Sequence, residues 1–284
     1  MKIGFAGAGK VGFTLGKYFS SKGYTITGYY DKDFSCSEKA GEFTSSKPYE
    51  SIIELLNDCD TLFLTVPDML IGKVYSLLDK KAIKGKLICH CSGAVSAQEV
   101  FPDAQRYGAY ICSVHPLLAV SSKYNSYREI TDGFFAIEGC NEGVRIISEL
   151  LQNCNNSFQI IDSESKRKYH CASAICSNLA VGLMDISLGL LTECGFSREN
   201  ALKAISPIIT SNITHIAEKD VKESLTGPVE RCDTETVKKH LSVLSGRERG
   251  VYILLSQQIL KIAQEKNPDR DYSKLTELLK GEEL

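Results

Sequence analysis

The chain has 284 residues, of which 43% are hydrophobic and 24% are charged, and its formal net charge at pH 7 is −2. Domains commonly hold roughly 100–200 residues, so this length allows two of them. A charge balance so close to neutral gives no basic surface for nucleic acid or anionic lipid, and we expect neither as a partner.

Strand and helix signals alternate through the first half of the sequence. Apolar runs predict strands at residues 3–6, 24–30, 61–66, 86–89, 110–114, 134–138 and 158–161. These runs are apolar throughout rather than at alternate positions, which is typical of parallel strands covered on both faces. Helical spacing at 10–21, 51–56 and 68–78 separates the earlier strands and indicates βαβ units. We therefore predict a mostly parallel, doubly wound α/β sheet for residues 1–162.

From about residue 163 the pattern becomes helical. The first helix is predicted over 163–194, with apolar residues on nearly all of its faces, so we expect it to be buried nearly all round. Further helices are predicted near 197–216, 234–245, 250–264 and 272–279. Residues 163–284 should thus form an all-α domain. The first helix carries more apolar surface than one small domain covers, which predicts a homodimer through this half.

Two polar residues, Asn178 and Asp185, lie two turns apart inside this otherwise apolar helix. Buried polar groups need hydrogen-bond partners. A buried network at a helix or subunit contact is the favoured interpretation, and substrate binding is the alternative.

The cellular setting is also indicated by the sequence. The longest apolar candidate, 172–191, is broken by polar residues, so no uninterrupted apolar stretch reaches the roughly 20 residues that span a bilayer. The chain starts directly on a strand, without a signal peptide. Its 11 cysteines form no CxxC pair and no zinc-like spacing. These features predict a cytoplasmic protein with reduced thiols, no metal site and no membrane partner.

A glycine-rich loop follows the first strand at once and opens the first helix, with the sequence Gly7-Ala8-Gly9-Lys10-Val11-Gly12. The pattern GxGxxG is weak by itself, but this strand–loop–helix context makes it specific. Gly7 permits the tight turn, Gly9 admits the pyrophosphate and Gly12 brings the helix close to the strand. The helix N-terminus offers free N–H groups to phosphate. The loop predicts a Rossmann domain that binds NAD or NADP.

The end of the second strand bears on the choice between these cofactors. Asp31 lies 24 residues after Gly7, where a carboxylate would accept the ribose hydroxyls and repel a 2′-phosphate. Lys32 follows and would instead pair with that phosphate. The pattern favours NAD and leaves NADP open. Val66 and Pro67, at the end of a later strand, are expected to wall the cofactor, and Asp68 is either a cofactor neighbour or the cap of the next helix.

The sequence resembles the Rossmann-like proteins whose C-terminal half is the domain of unknown function 2520. The matching segments span nearly the whole chain: Gly7–Gly12, Val66-Pro67-Asp68, His90-Cys91-Ser92-Gly93-Ala94, His115-Pro116-Leu117, Tyr169-His170, Ser177-Asn178, Asp185 and Leu225-Thr226-Gly227-Pro228. Arg231-Cys232-Asp233 departs from the Arg-Gly-Asp expected there, which puts a tight glycine turn in doubt. The resemblance implies a Rossmann domain followed by a helical dimerisation domain. It extends to ketopantoate reductase, pyrroline-5-carboxylate reductase, prephenate dehydrogenase and the β-hydroxyacid dehydrogenases.

A dehydrogenase of this kind needs one group that handles a proton near neutral pH, and histidine is the usual one. His115 follows a predicted strand, and His115-Pro116 is similar to the His-Pro of prephenate dehydrogenases, in which the histidine takes the substrate hydroxyl proton. Ser92 resembles the serine that orients that histidine. A structural histidine that caps a loop is the alternative.

Lys166 and His170 are four residues apart on the first helix of the second half and therefore share one face. The spacing is similar to the Lys-x-x-x-Asn of β-hydroxyacid dehydrogenases and ketopantoate reductase, in which the lysine is the acid/base and the asparagine binds substrate. Here a histidine replaces the asparagine. Lys166, Arg167 and Lys168 are alternatively an exposed basic cluster.

Two functions follow from these patterns. The first is an NAD(P)-dependent oxidoreductase that acts on a small carboxylated substrate between the two domains, with Ser92, His115, Lys166 and His170 around one pocket. The second is a regulatory or scaffold protein that binds the cofactor without turnover. The missing Lys-x-x-x-Asn and the lack of an obvious arginine for a substrate carboxylate leave the second open.

Overall fold

The computed structural model describes residues 1–280 and divides the chain into two compact units, Met1–Leu179 and Ala180–Leu284. The first unit holds one eight-stranded sheet. Its strands are β1 (Lys2–Ala6), β2 (Thr25–Tyr30), β3 (Lys47–Tyr49), β4 (Thr61–Leu64), β5 (Leu87–His90), β6 (Tyr110–Pro116), β7 (Phe134–Gly139) and β8 (Ser157–Ile160). The strand order is β3-β2-β1-β4-β5-β6-β7-β8. Among the described pairs, β6 and β7 alone run antiparallel. The predicted doubly wound α/β class is confirmed.

Helices cover this sheet. They are α1 (Lys10–Ser21), α2 (Phe34–Thr44), α3 (Ile52–Asp58), α4 (Asp68–Ser76), α5 (Ala97–Val100), α6 (Asn141–Asn153) and α7 (Lys166–Cys176), with 3₁₀ turns at Ala104–Tyr107 and Ser126–Asp132. Neighbouring residues of one strand enter different cores. On β4, Phe63 packs in one apolar cluster while Leu62 and Leu64 pack in another. Each buried side chain contributes about 1.5–3 kcal/mol, so both faces of the sheet stabilise the unit, as the continuous apolar runs predicted.

The parallel register fixes where loops meet. Strands β1, β4, β5 and β6 are neighbours and parallel, so their carboxyl ends lie at one edge of the sheet. The loops that leave this edge contain the glycine motif, Val66-Pro67 and Ser92-Gly93, while His115 lies near the end of β6 itself. The prediction that His115 follows its strand is therefore wrong, because β6 continues two residues beyond the predicted end at 114, to Pro116, by pairing with β7.

The second unit is helical, as predicted. Its helices are α8 (Asn178–Glu193, which starts just before the unit boundary), α9 (Arg198–Lys219), α10 (Val221–Ser224), α11 (Thr234–Val243), α12 (Gly246–Lys266) and α13 (Ser273–Lys280). Val237, Ile253 and Leu275 are central to its own apolar cluster. Cys232 takes a left-handed φ of 60°, so the tight turn that a glycine would favour forms with cysteine in its place.

The single helix predicted over 163–194 is wrong. Ser177 leaves the helical region with φ −110° and ψ −80° and separates α7 from α8. A single chain also does not bury this segment as expected. Ile175, Leu179 and Val181 are 57%, 62% and 69% exposed. The sequence pattern showed apolar residues on all faces, but the chain's own helices leave many of them in contact with solvent.

Within one chain, Asn178 and Asp185 do not form the predicted buried network, and its formation at a subunit contact stays a prediction. Both side chains are exposed. Asp185 forms an ion pair of 2.9 Å with Arg198, and Asn178 accepts a hydrogen bond from Ser177. Exposed pairs of this kind contribute about 0–1 kcal/mol.

By length and composition, one helical segment could cross a membrane. It covers Lys166–Glu193, with 28 residues, a mean hydropathy of 1.7 in its most apolar window and 6% of that window buried. One such segment is weak evidence for a span. The break at Ser177 and the ion-paired Asp185 fall inside it.

The close approach of α1 to β2 gives a test of the packing. A Cβ on Gly16 would collide with the Tyr29 hydroxyl, whereas one on Gly72 of α4 would meet open space. We predict that Gly16→Ala lowers the free energy of unfolding by roughly 1–3 kcal/mol through overpacking. Gly72→Ala should raise it by roughly 0.5–1 kcal/mol, because alanine is the better helix former. Urea denaturation measures both, and equal shifts in the two variants would contradict this packing.

Candidate active site

The glycine loop is held tightly at the end of β1. Gly7 donates its N–H to the Tyr30 carbonyl at 2.7 Å and has a φ of 113°. A Cβ there would lie 2.6 Å from the Thr65 carbonyl oxygen, and one on Gly12 would collide with the Gly7 carbonyl. Beside Gly9, the nearest neighbour of an added Cβ would be 3.9 Å away. The loop is thus closed on the sheet side and open at Gly9.

The open side lies at the start of α1. Gly9 is the N-cap, and no side chain among the described residues caps this helix end. No acidic residue occupies its first turn, where exposed Lys10 and half-buried Val11 lie. Uncapped N–H groups and the positive end of the helix dipole favour an anion. The residues present therefore fit a dinucleotide pyrophosphate.

Asp31 is turned into the glycine loop. Its Oδ2 accepts the Ala8 N–H at 2.7 Å, and its Oδ1 accepts the Asp33 N–H at 3.1 Å. Lys32 is exposed beside it. The carboxylate predicted to hold the ribose hydroxyls is thus engaged with the backbone of the loop.

The loops after β4 and β5 are joined by a hydrogen bond. Ser92 is buried, and its hydroxyl donates to Asp68 Oδ2 at 2.7 Å. The Ser92 Oγ also accepts the Ala94 N–H at 3.1 Å. Pro67, not Asp68, is the N-cap of α4, so the alternative role of Asp68 as a cap is wrong. Val66 is half-buried and would lie 3.0 Å from a Cβ on Gly7.

His115 lies in a cluster of rings. Its Nδ1 is 2.8 Å from the Tyr169 hydroxyl, and its ring centroid is 6.0 Å from that of His170. A Cβ on Gly93 would lie 2.5 Å from His170 Cδ2 and 2.9 Å from His115 Nε2, so only a glycine fits between them. Burial, and then the charges of Lys166 and His170, lower the pKa of His115 to about 4. The ring is therefore uncharged at neutral pH.

Lys166 is fully buried beneath this cluster. Its ammonium donates to Ser113 Oγ at 2.5 Å, and the Ser113 hydroxyl donates to the Ser92 carbonyl at 3.1 Å. Burial lowers the pKa of Lys166, and the nearby Glu138 carboxylate opposes that change. Of the predicted exposed basic cluster, only Arg167 and Lys168 reach solvent.

The structure thus brings Ser92, His115, Lys166 and His170 together within the first unit. Residues that sequence reasoning did not assign to the site are His90, Ser113 and Tyr169. His90 Nδ1 accepts the Ser92 N–H at 3.1 Å, and burial lowers its pKa to about 3. Its Nε2 has no hydrogen-bond partner among residues 1–280. The position of Tyr169 one residue before His170 was the available signal for its role.

Two family models match the chain. Residues 1–116 match the Rossmann-like domain, and residues 133–259 match the domain of unknown function 2520. No curated protein matches the sequence.

Solved structures share the fold over more than nine-tenths of the chain. A protein of Thermotoga maritima has a TM-score of 0.73 at 23% identity and covers 93% of this chain and 99% of its own. A candidate NADP oxidoreductase of Bacteroides fragilis has a TM-score of 0.70 at 18% identity, over 92% and 98%. Pyrroline carboxylate reductase of Plasmodium falciparum, solved with NADP bound, has a TM-score of 0.61 at 15% identity, over 94% and 96%. These structures show the shared fold, and the two family models together show that the chain belongs to the Rossmann-like proteins with a C-terminal domain of unknown function 2520.

Proposed function

We propose that this protein is an NADP(H)-dependent oxidoreductase that moves a hydride to or from a small carboxylated substrate, either a keto or hydroxy acid or an imine. The observation that carries the proposal is the position of an open glycine loop and the His115–Tyr169 pair along one edge of one sheet. Three strand spacings separate β1 from β6, about 14 Å in all. We assign residues 1–162 to the cofactor and residues 163–284 to substrate binding and dimerisation.

The proposed cofactor is NADP(H) rather than NAD(H). The sequence favoured NAD because Asp31 would repel a 2′-phosphate, but both oxygens of Asp31 accept backbone N–H groups. The structures of similar fold include a reductase with NADP bound and a candidate NADP oxidoreductase. The preference for NAD is therefore not supported.

The bound nicotinamide would supply or take the hydride. His115 handles the proton. Tyr169 lies at Nδ1, so Nε2 remains for the substrate, and its lone pair is free at neutral pH because the pKa of His115 is about 4. In the direction of oxidation, Nε2 takes the proton of a substrate hydroxyl, while the Nδ1 proton stays in the bond to the Tyr169 oxygen. In reduction the proton returns to the product.

The role proposed for Lys166 is to act through His115 rather than as the acid or base itself. Its ammonium is fully buried against Ser113, so it does not reach a substrate directly. Its charge is the second cause, after burial, of the low pKa of His115. Lys166 thus keeps His115 in the form that accepts a proton. Ser92 and Asp68 hold the loop that contains Gly93. His170 lies on the side of the site opposite to this loop, where it would pair with the substrate carboxylate.

The apolar surface of α7 and α8 bears on assembly. Leu179 and Val181 are more than half exposed. Exposed apolar patches on a protein surface commonly mark a site that a partner covers. A second copy of the chain covering this face is the proposed assembly. All 11 cysteines are free, including exposed Cys171, Cys176 and Cys194, which supports a reducing, cytoplasmic location.

We predict that His115→Gln lowers the turnover number by about 10²–10⁴-fold, because the base is lost. Its affinity for NADPH should stay unchanged. Turnover is followed at 340 nm with a panel of keto acids, hydroxy acids and imines. His240→Gln is the matched control, since His240 Nδ1 lies 2.8 Å from the Tyr252 hydroxyl in the second unit. Tight NADPH binding without turnover of any panel member would favour the regulatory alternative.

The pH dependence of the oxidation rate should change when Lys166 is replaced. Protonated His115 cannot accept a proton, so the oxidation rate falls as pH drops through its pKa of about 4. Lys166→Met removes a positive neighbour, makes protonation easier and should move this limb of the profile upward, toward the ordinary pKa of about 6.5. Lys168→Met, an exposed lysine of the same helix, should leave the profile in place. A limb that does not move in Lys166→Met would refute the role given to this charge.

The assembly is tested by mass. Light scattering at micromolar concentration should give twice the chain mass for the unmodified protein, and Val181→Asp should give a monomer, because a buried unpaired carboxylate destabilises an interface. Val243→Asp is the control, since Val243 is 80% exposed at the end of α11. A monomeric mass for the unmodified protein would exclude the dimer.

A further inference from the structure

The segment between β6 and β7 folds back over α1. Tyr124 packs edge-on against Phe13 at 5.5 Å and against Phe43 at 5.2 Å. Tyr127 meets Phe43 edge-on at 5.9 Å. These aromatic contacts anchor the segment to α1 and α2, the two helices that follow the glycine loop and the end of β2.

Lys123 lies between α1 and α2. Its ammonium donates to the Ala8 carbonyl at 3.2 Å, across 115 residues of sequence, and stands 4.8 Å from the centre of the Phe13 ring. It is also close to Cys36 at the start of α2, where its charge opposes the rise in thiol pKa caused by burial and by Asp33. In a Rossmann domain the adenosine ribose lies between the glycine loop and the end of the second strand. Lys123 is therefore placed beside the ribose position.

The charges around this position leave Lys123 available. No carboxylate lies within ion-pair distance of it in the part of the chain that the structure describes. Asp31 accepts two backbone N–H groups, and Asp33 accepts the Ser35 N–H and hydroxyl. An ammonium has three donors, and the Ala8 carbonyl uses one. Two donors remain for an anion.

We propose that Lys123 binds the 2′-phosphate of NADP(H) and sets the preference over NAD(H). The inference rests on the proposed function, since it takes the dinucleotide site as given. It adds a specificity residue from outside the first 116 residues, where the glycine loop and Asp31 lie. Lys32, which is exposed and follows Asp31 directly in the sequence, would give the phosphate a second cation.

The test compares affinities of the full-length protein for NADPH and NADH by calorimetric titration. Lys123→Gln should weaken NADPH by about tenfold or more and NADH by less than about twofold, since only the former carries the extra phosphate. Lys123→Arg should retain most of the preference. Lys17→Gln is the matched control, because Lys17 lies 4.8 Å over the Phe43 ring of the same aromatic cluster and donates to the Phe43 carbonyl.

Equal weakening of both cofactors by Lys123→Gln would show a role in loop structure and overturn the inference, as would no change in either. Equal affinities of the unmodified protein for the two cofactors would overturn it too, while dinucleotide binding would stand. If the unmodified protein binds neither cofactor, the proposed function itself fails.

Discussion

The parallel pairing of β1, β4, β5 and β6 places four carboxyl ends at one edge of the sheet, and the candidate site depends on that arrangement. Each strand places a short loop or a terminal side chain at this edge. Glycine at positions 7, 12 and 93 allows these pieces to approach one another, because a Cβ at any of them would overlap a neighbour. Packing of the sheet, through side chains that enter two cores, therefore also determines the spacing of the chemical groups.

The buried ammonium of Lys166 lies at the β6 end of this edge. Lys166 has no exposed surface, and Ser113 accepts one of its hydrogen bonds. Burial of an ammonium is costly unless it is hydrogen-bonded and paired, and the neighbouring Glu138 carboxylate reduces that cost. The same charge faces His115 and lowers its pKa. One residue thus links the burial of an ammonium to the pKa of a neighbouring histidine.

Much of the fold could be predicted from sequence, because continuous apolar runs and helical spacing report burial directly. The short edge strand β3 was missed, since Lys47 and Pro48 give no strand signal. The break at Ser177 has no glycine or proline to mark it. Burial of α8 within one chain was overestimated, because apolar spacing shows which residues avoid water but not which chain covers them.

The site was only partly predictable. The glycine loop carries a pattern that is specific in its context, and His115 stands next to a proline at a strand end. The depth of Lys166 and the partners of Asp31 depend on residues far away in sequence, Ser113 and Ala8, and no local pattern reports them. Lys123 was overlooked because it lies 115 residues from the loop that it contacts.

The central claim is that one edge of the sheet holds both the cofactor and the proton-handling histidine. A crystal structure of the protein with NADPH bound tests it most directly. The account predicts the pyrophosphate on the N–H groups at the start of α1 and the nicotinamide ring beside Gly93, with His115 Nε2 facing the substrate space next to it. A nicotinamide ring that lies away from Gly93 and His115 would contradict the account.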